Sequence, residues 1–210
     1  MIALETIQSR NEAMAELLNN RLTDNGVYAV NVMGAPGSGK TSVLTGLINA
    51  LNKPAFVIEG DIESDIDTKK LSKLGISSYQ INTGGACHLD TPLIEKALDA
   101  NRLENCFLFI ENIGNLVCPA EFMIGEHMKL LICSVPEGDD KPYKYPLAFE
   151  KANVIVLNKT DLLPHVPFDY NFFEKGVRAL NKTVPIFKLS ALKGEGFAEL
   201  ADALSCKPRL

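Results

Sequence analysis

The sequence predicts an α/β domain, a doubly wound, mostly parallel sheet with a leading N-terminal helix. Three observations predict it. Short runs of Val, Ile, Leu and Phe recur along the chain, several of them nearly continuous, as strands covered on both faces require. Segments with apolar residues at helical spacing lie between those runs, and strand, crossover helix, strand in repetition gives a parallel sheet. Finally, the glycine-rich stretch "GAPGSGKT" falls between the first apolar run and the helix pattern that follows it.

In chain order, the opening segment carries Leu4, Ile7, Met14, Leu17 and Leu18 at helical spacing. It predicts a helix within residues 1–25, packed on the domain. The strand candidates are "VYAVNVM", "AFVIEG", "SSYQIN", "CFLFIEN", "MKLLICSV", "NVIVLNK" and "PIFKLS". One helix between them presents Leu44, Leu47, Ile48 and Leu51 on one face, and another presents Leu93, Ile94, Ala97 and Leu98. A last helix, "GFAELADAL", follows the final strand. No internal repeat, low-complexity tract or Pro/Gly-rich linker interrupts the pattern, so residues 1–210 are expected to form a single domain.

Composition bounds the function. A chain of 210 residues with 46% hydrophobic and 22% charged residues is long enough for a full core and ordinary for a soluble protein. A formal net charge of −5 argues against a nucleic-acid partner. No stretch approaches the ~20 apolar residues that span a bilayer, and the acidic opening is unlike a signal peptide, so no membrane partner is expected. Five scattered cysteines fit reduced thiols and a cytoplasmic location better than a disulfide framework.

"GAPGSGKT" matches G-x-x-x-x-G-K-[ST]. Gly34, Gly37 and Gly39 let successive backbone N–H groups turn inward around phosphates, in a loop that also contains Ser38 and leads into Ser42. The helix that follows adds the positive end of its dipole. Lys40 is expected to reach the β- and γ-phosphates, and the Thr41 hydroxyl to ligate Mg²⁺. A glycine-rich turn matching by chance is the plain alternative, and the strand before it and helix after it weigh against that.

"VLNKTDL" offers Asn158, Lys159 and Asp161 at the end of the fifth or sixth buried strand. Open α/β sheets bind ligands beyond the carboxyl ends of their strands, so this loop can lie beside the phosphate loop. An Asp161 carboxylate accepts two hydrogen bonds from guanine N1–H and its exocyclic amine, and would be left unpaired against adenine. The Lys159 stem can lie along the base, and Asn158 can tie the loop to its neighbours. In "KLSALKGEG", Ser190, Ala191 and Leu192 can back the base with main-chain donors. GTP or GDP is therefore expected, and not ATP.

At this point the motif order resembles a P-loop GTPase of the branch that includes metallocentre-assembly proteins. In detail it resembles the hydrogenase nickel-incorporation (maturation) GTPases of the HypB type. The resemblance rests on "GAPGSGKT", "VIEGDIESDID", "NTGGACHLD", "FIENIGNLVCPAEF", "SVPEGDDKPYKYP" and "VLNKTDLLP" in that order, and covers nearly the whole chain. It implies one P-loop GTPase domain over residues 1–210.

Where many GTPases have D-x-x-G, this chain has E-x-x-G in Glu111 and Gly114. Glu111 can hold Mg²⁺ directly or through water, and the Gly114 N–H can approach the γ-phosphate. The plain alternative is a carboxylate at a strand end facing solvent. The resemblance places Asp61 in the Mg²⁺ and switch region, whereas Asp65 and Asp67 read as a solvated helix start. Asn115 stands where a glutamine would orient the attacking water, so intrinsic hydrolysis is expected to be slow and completed by a partner or a conformational change.

In "NTGGACHLDTP", Cys87 and His88 are adjacent. Neighbours on a regular strand point to opposite faces, but Gly84 and Gly85 put this pair in a loop, where both can face one ion. A third ligand is needed, and Cys118 is the candidate. Thiolates with an imidazole suit Zn²⁺ or Ni²⁺. The alternative is that Cys87 and Cys118 are small buried residues and His88 a polar filler. The resemblance implies that Cys87, His88 and Cys118 form a nickel or zinc site at the interface of a GTP-dependent homodimer. It also implies a nickel-binding accessory protein and a hydrogenase large-subunit precursor as partners.

Some members of that family carry an N-terminal cysteine cluster or a histidine-rich stretch. This chain has neither, its first cysteine being Cys87, so the expected site is one of moderate affinity that hands a metal on. Cys106 and Cys133 fall inside strand candidates and are expected to pack in the core, whereas Cys206 in the tail and His127 and His165, apart from any other ligand, are expected to be non-functional. Lys141 and Lys144 are either surface charges or act in trans on a second copy. Competing readings are a urease-type nickel GTPase, a small-molecule kinase on the same sheet, and a GTP-binding switch without metal.

Overall fold

A computed structural model describes residues 2–61 and 71–205. Its strands are β1 (Tyr28–Met33), β2 (Ala55–Asp61), β3 (Ser77–Asn82), β4 (Phe107–Glu111), β5 (Met128–Ser134), β6 (Val154–Asn158) and β7 (Ile186–Lys188). They form one seven-stranded sheet in the order β3-β2-β4-β1-β5-β6-β7. Every pairing is parallel, so the sheet is parallel throughout and not only mostly so. All carboxyl ends therefore share one edge. The strands β2 to β4 lie on one side of β1 and β5 to β7 on the other, so the winding reverses at the end of β1, where such folds bind ligands.

The helices are α1 (Ile2–Asp24), α2 (Lys40–Leu51), α3 (Thr91–Ala100), α4 (Cys118–Glu121), α5 (Lys141–Lys144), α6 (Pro146–Lys151), α7 (Tyr170–Leu180) and α8 (Phe197–Ser205). Alternation along each strand divides the core between two faces. Val30, Val32, Val57, Phe109, Ile132 and Val156 pack under α2 and α8, against Leu44, Leu47, Leu200 and Leu204. Ala29, Ile58, Leu108 and Ile110 face Leu18, Leu22, Ile94 and Ala97 of α1 and α3. Met33, Leu131, Cys133 and Ile155 face Phe149, Phe173 and Val177 of α6 and α7. Each fully buried Val, Leu or Phe stabilises the fold by about 1.5–3 kcal/mol relative to exposure. At Gly46 an added Cβ would meet the Phe197 ring at 2.3 Å, which is why α2 and α8 can approach so closely.

Helix α1 differs from expectation in its buried face. Ala15, Leu18 and Leu22 are buried, whereas Leu17 is 69% exposed. One residue along a helix turns a side chain by about 100°, so Leu17 leaves the stripe that Leu18 occupies. The side chains of Leu4 and Ile7 lie outside the described part. His127 fastens the helix to the sheet. Its Nδ1 accepts from Ala29 N (2.9 Å), so in the neutral ring Nε2 carries the proton and donates to Thr23 Oγ1 (2.9 Å). That hydroxyl donates to Asn19 O (2.9 Å), and the ring stacks on Tyr28 at 5.0 Å.

Cys133 is buried in β5 as expected, while half-buried Cys106 lies one residue before β4 and not inside it. Asp65, Asp67 and Cys206 lie outside the described residues. Among the described residues, no helix is long and apolar enough to cross a membrane.

Candidate functional site

The shared carboxyl edge brings together the loops after β1, β4 and β6. In the first, Gly37 and Gly39 have φ of +78° and +92°, which glycine adopts without strain. A Cβ on Gly39 would also stand 2.5 Å from Asn158 Nδ2, and one on Gly34 2.4 Å from Ile132 O. Helix α2 begins at Lys40, so its N-terminal N–H groups point into this loop. Lys40 Nζ donates to the carbonyls of Gly34 and Ala35, each at 3.3 Å, folding back over the loop. Ser38 is buried within the loop and Ser42 is exposed beyond it.

Thr41 Oγ1 donates to Glu111 Oε1 at 2.9 Å. The two candidate Mg²⁺ ligands thus come from α2 and the end of β4 and meet, with Glu111 buried. Both offer the hard oxygen donors that Mg²⁺ takes. Asp61 closes β2, and its side chain lies outside the described part. On β2, Glu59 stands in register with Glu111 and is also buried, a carboxylate that sequence reasoning passed over.

The candidate base pocket is pre-ordered. Asn158 is buried; it donates to Ser38 O (3.0 Å) and accepts from Ala191 N (3.1 Å), joining the phosphate loop to the serine-alanine turn. Lys159, in the left-handed region at φ +60°, donates to Gly37 O at 2.6 Å. Ser190 Oγ donates to Asp161 Oδ1 at 2.6 Å and accepts from Lys193 N at 3.2 Å. The Ser190 hydroxyl thereby aims the carboxylate. The side chain of Leu192 is 86% exposed.

From Glu111 the chain continues beneath the phosphate loop. A Cβ on Gly114 would stand 2.9 Å from the Pro36 ring, and Asn115 forms an antiparallel bridge with Gly34. Three residues further on, Cys118 opens α4.

Cys87, His88 and Cys118, the three candidate ligands, lie together. Their ligand atoms all lie within 4.8 Å of one another. Cys87 Sγ donates to Cys118 Sγ at 3.1 Å and lies 3.4 Å from His88 Nδ1. Cys87 is exposed and Cys118 half-buried, which disfavours the alternative of simple core cysteines. The hydrogen bond with Cys118 holds the Cys87 thiol above its ordinary pKa, and burial adds to this. Burial lowers the His88 pKa against the pull of Asp90 and Glu121, which favours the neutral imidazole that a metal needs. Metal capture by this set releases thiol protons.

The surroundings of this cluster were not legible beforehand. The Phe122 ring stacks on His88 at 4.6 Å and 8°, fixing the imidazole plane. Buried Lys129 donates to Pro119 O (3.1 Å) and Phe122 O (2.8 Å) and pairs with Glu126 (2.8 Å). That ion pair holds the turn after Cys118. Lys144 pairs with Asp140 on the surface, and Lys141 lies over the Tyr145 ring.

Comparisons with known proteins agree with this arrangement. Residues 28–188 match the CobW/HypB/UreG nucleotide-binding domain. The chain is 43% identical over 198 residues to the hydrogenase maturation factor HypB of Azotobacter vinelandii, covering 93% of this chain but only 65% of that relative. It is 37% identical over 208 residues to the hydrogenase/urease maturation factor HypB of Helicobacter hepaticus, covering 96% of this chain and 85% of the relative. A crystal structure of HypB from Helicobacter pylori in complex with nickel superposes with a TM-score of 0.89 at 35% identity, over 93% of this chain and 94% of that one. The chain belongs to the CobW/HypB/UreG nucleotide-binding family and, within it, to the HypB hydrogenase maturation factors.

Proposed function

We propose that this chain is a GTP-hydrolysing metallochaperone that pairs with a second copy of itself in the GTP state and delivers nickel during [NiFe]-hydrogenase maturation. A single observation carries the reading. One short segment starts at Glu111, beside Thr41, and ends at Cys118, beside Cys87 and His88. A nucleotide at one end and a metal at the other would share that segment.

In this reading Gly34, Gly37, Ser38, Gly39, Lys40, Thr41 and Ser42 hold the phosphates, with the Lys40 ammonium leaving its loop carbonyls for the β- and γ-phosphates. Asn158, Lys159 and Asp161 select guanine, backed by the main chain of Ser190, Ala191 and Leu192. Thr41, Glu111 and Asp61 would hold Mg²⁺, which when bound offsets phosphate charge. The Gly114 N–H donates to the γ-phosphate. Cys87, His88 and Cys118 take nickel as cargo, with zinc as the competing ion. Two thiolates and one imidazole leave a metal short of ligands in a single chain, which a second copy or the acceptor can complete. The nickel-binding accessory protein and the hydrogenase large-subunit precursor are the partners this reading requires, in the cytoplasm.

The test is a titration with Zn²⁺ and with Ni²⁺ in the nucleotide-free, GDP and GTP-analogue states, alongside measurement of the dimer fraction. GTP is expected to favour the dimer and to change metal affinity. Equal affinity and equal dimerisation in all three states would overturn the coupling. Urease is a second candidate recipient, because the Helicobacter hepaticus relative carries both enzymes in its name. Nickel transfer to each apoenzyme in parallel separates the two.

A further inference from the structure

We infer that Asn112 and Asn115 are the positioning residues that join the metal-ligand loop to the nucleotide loop. The inference rests on the function proposed above and names the side chains that carry its regulation. The loop bearing Cys87 and His88 turns on local bonds from Gly84 N to Asn82 Oδ1 (3.0 Å) and from Ala86 N to Thr83 O (3.2 Å). It opens at Gly84 and Gly85, whose φ values are +58° and +98°, and a Cβ at either would meet nothing within 4 Å. Its firm attachments come from the segment that follows β4.

Asn112 is 1% exposed. Its Oδ1 accepts from Leu89 N and from Ile113 N, both at 3.0 Å. Its Nδ2 donates to Asn31 Oδ1 on β1 at 3.2 Å, and its own N–H donates to Val32 O at 3.0 Å. Leu89 directly follows His88 and is fully buried, against Gly60 at the end of β2. The main chain beside His88 is thereby pinned to the two strands that end at Met33 and Glu111.

Asn115 reaches the main chain next to the thiols. Its Nδ2 donates to Cys87 O at 3.3 Å and its Oδ1 accepts from Val117 N at 2.8 Å, one residue before Cys118. Its backbone bridges Gly34 of the phosphate loop. One amide thus touches the main chain beside each candidate thiolate while its own backbone is held by the nucleotide loop. A shift of the Gly34–Asn115 bridge is transmitted to both sulfurs together, and this sets their separation. A side chain with both amide atoms engaged in this way has a positioning role and not that of orienting a water.

The experiment compares metal affinity in the GDP and GTP-analogue states for the full chain and for Asn115→Ala and Asn115→Asp. Asn115→Asp keeps the acceptor for Val117 N but lacks the donor to Cys87 O. Zn²⁺ and Ni²⁺ are titrated separately. Allosteric couplings of this kind amount to roughly 5- to 150-fold in affinity. Both variants are expected to bring the GDP/GTP affinity ratio to within about twofold of unity, with guanine nucleotide affinity and the thermal midpoint retained. A residue that merely stabilised the fold would lower metal affinity equally in every nucleotide state. A wild-type ratio well away from unity, kept by both variants, overturns this inference and leaves the proposed function standing. A wild-type ratio of unity overturns this inference, and if dimerisation is also equal in both states the proposed coupling falls with it.

Discussion

At the scale of single residues, two side chains bear most directly on what the site binds. Asp161 can select guanine only if its carboxylate is aimed, and the Ser190 hydroxyl at 2.6 Å does the aiming. A hydrogen bond to a charged acceptor contributes about 1.5–3 kcal/mol, so Ser190→Ala is expected to weaken GTP and GDP alike by about tenfold or more. Isothermal titration with both nucleotides checks this, and unchanged affinity would mean that Asp161 does not face the base. At the other end of the site, Cys118 accepts a hydrogen bond from Cys87 at 3.1 Å. Removing even the outer-shell partner of a ligand lowers metal affinity by about 10- to 100-fold, so Cys118→Ala is expected to lower nickel affinity by at least about tenfold. Nucleotide affinity should stay as it is, because the Cys118 side chain bonds to Cys87 and not to the phosphate or base loops. Absorbance of the metal-thiolate band, titrated for both proteins, reads the difference.

At the scale of elements, two attachments hold pieces that the hydrophobic pattern alone leaves loose. The turn after α4 is held by the Lys129–Glu126 pair, with side chains 10% and 3% exposed. Lys129→Met would leave a buried carboxylate unpaired, and such losses cost about 3–5 kcal/mol. A lower urea midpoint is expected, together with weaker metal binding because Phe122 loses the carbonyl contact that seats it on His88. The second attachment is the His127 clamp on α1. Burial lowers the His127 pKa, and the neighbouring Glu126 carboxylate only partly opposes this. Protonation would also require Nδ1 to release the Ala29 N–H. Since the folded pKa lies below the unfolded one, the unfolded chain takes up a proton first as pH falls. The clamp's contribution is complete above about 6.5, the ordinary histidine value, and declines below it until the folded ring also titrates. Urea unfolding between pH 7.5 and 5 should therefore show a falling midpoint. His127→Gln should be less stable at pH 7.5 and should lose less on acidification.

At the scale of the whole molecule, the strands, the crossover helices and the nucleotide loops were legible because their signals are local. Val30, Val32 and their neighbours announce a buried strand by themselves, and Gly39, Lys40 and Thr41 announce phosphate binding within eight letters. Cys87 and His88 were legible as a pair, and Cys118 as their partner by position. What joins them was not. Asn112, Asn115 and Phe122 act through contacts with residues well removed in sequence, Lys129 acts through main-chain carbonyls that no periodicity announces, and an asparagine at a strand end gives no sign of which amide it will meet. Asn115 shows the consequence for turnover. Its side chain is engaged with Cys87 and Val117, and no glutamine takes the place from which the attacking water would be oriented. The isolated chain should therefore hydrolyse GTP slowly, and in the proposed function a second copy would complete the site. Single-turnover hydrolysis followed from dilute to concentrated protein should give a rate per chain that rises with concentration and then saturates. It should rise in step with the dimer fraction measured on the same samples. A rate that is fast at the lowest concentration and flat thereafter would show that one chain carries all the hydrolytic machinery, and the pairing would then serve the metal alone.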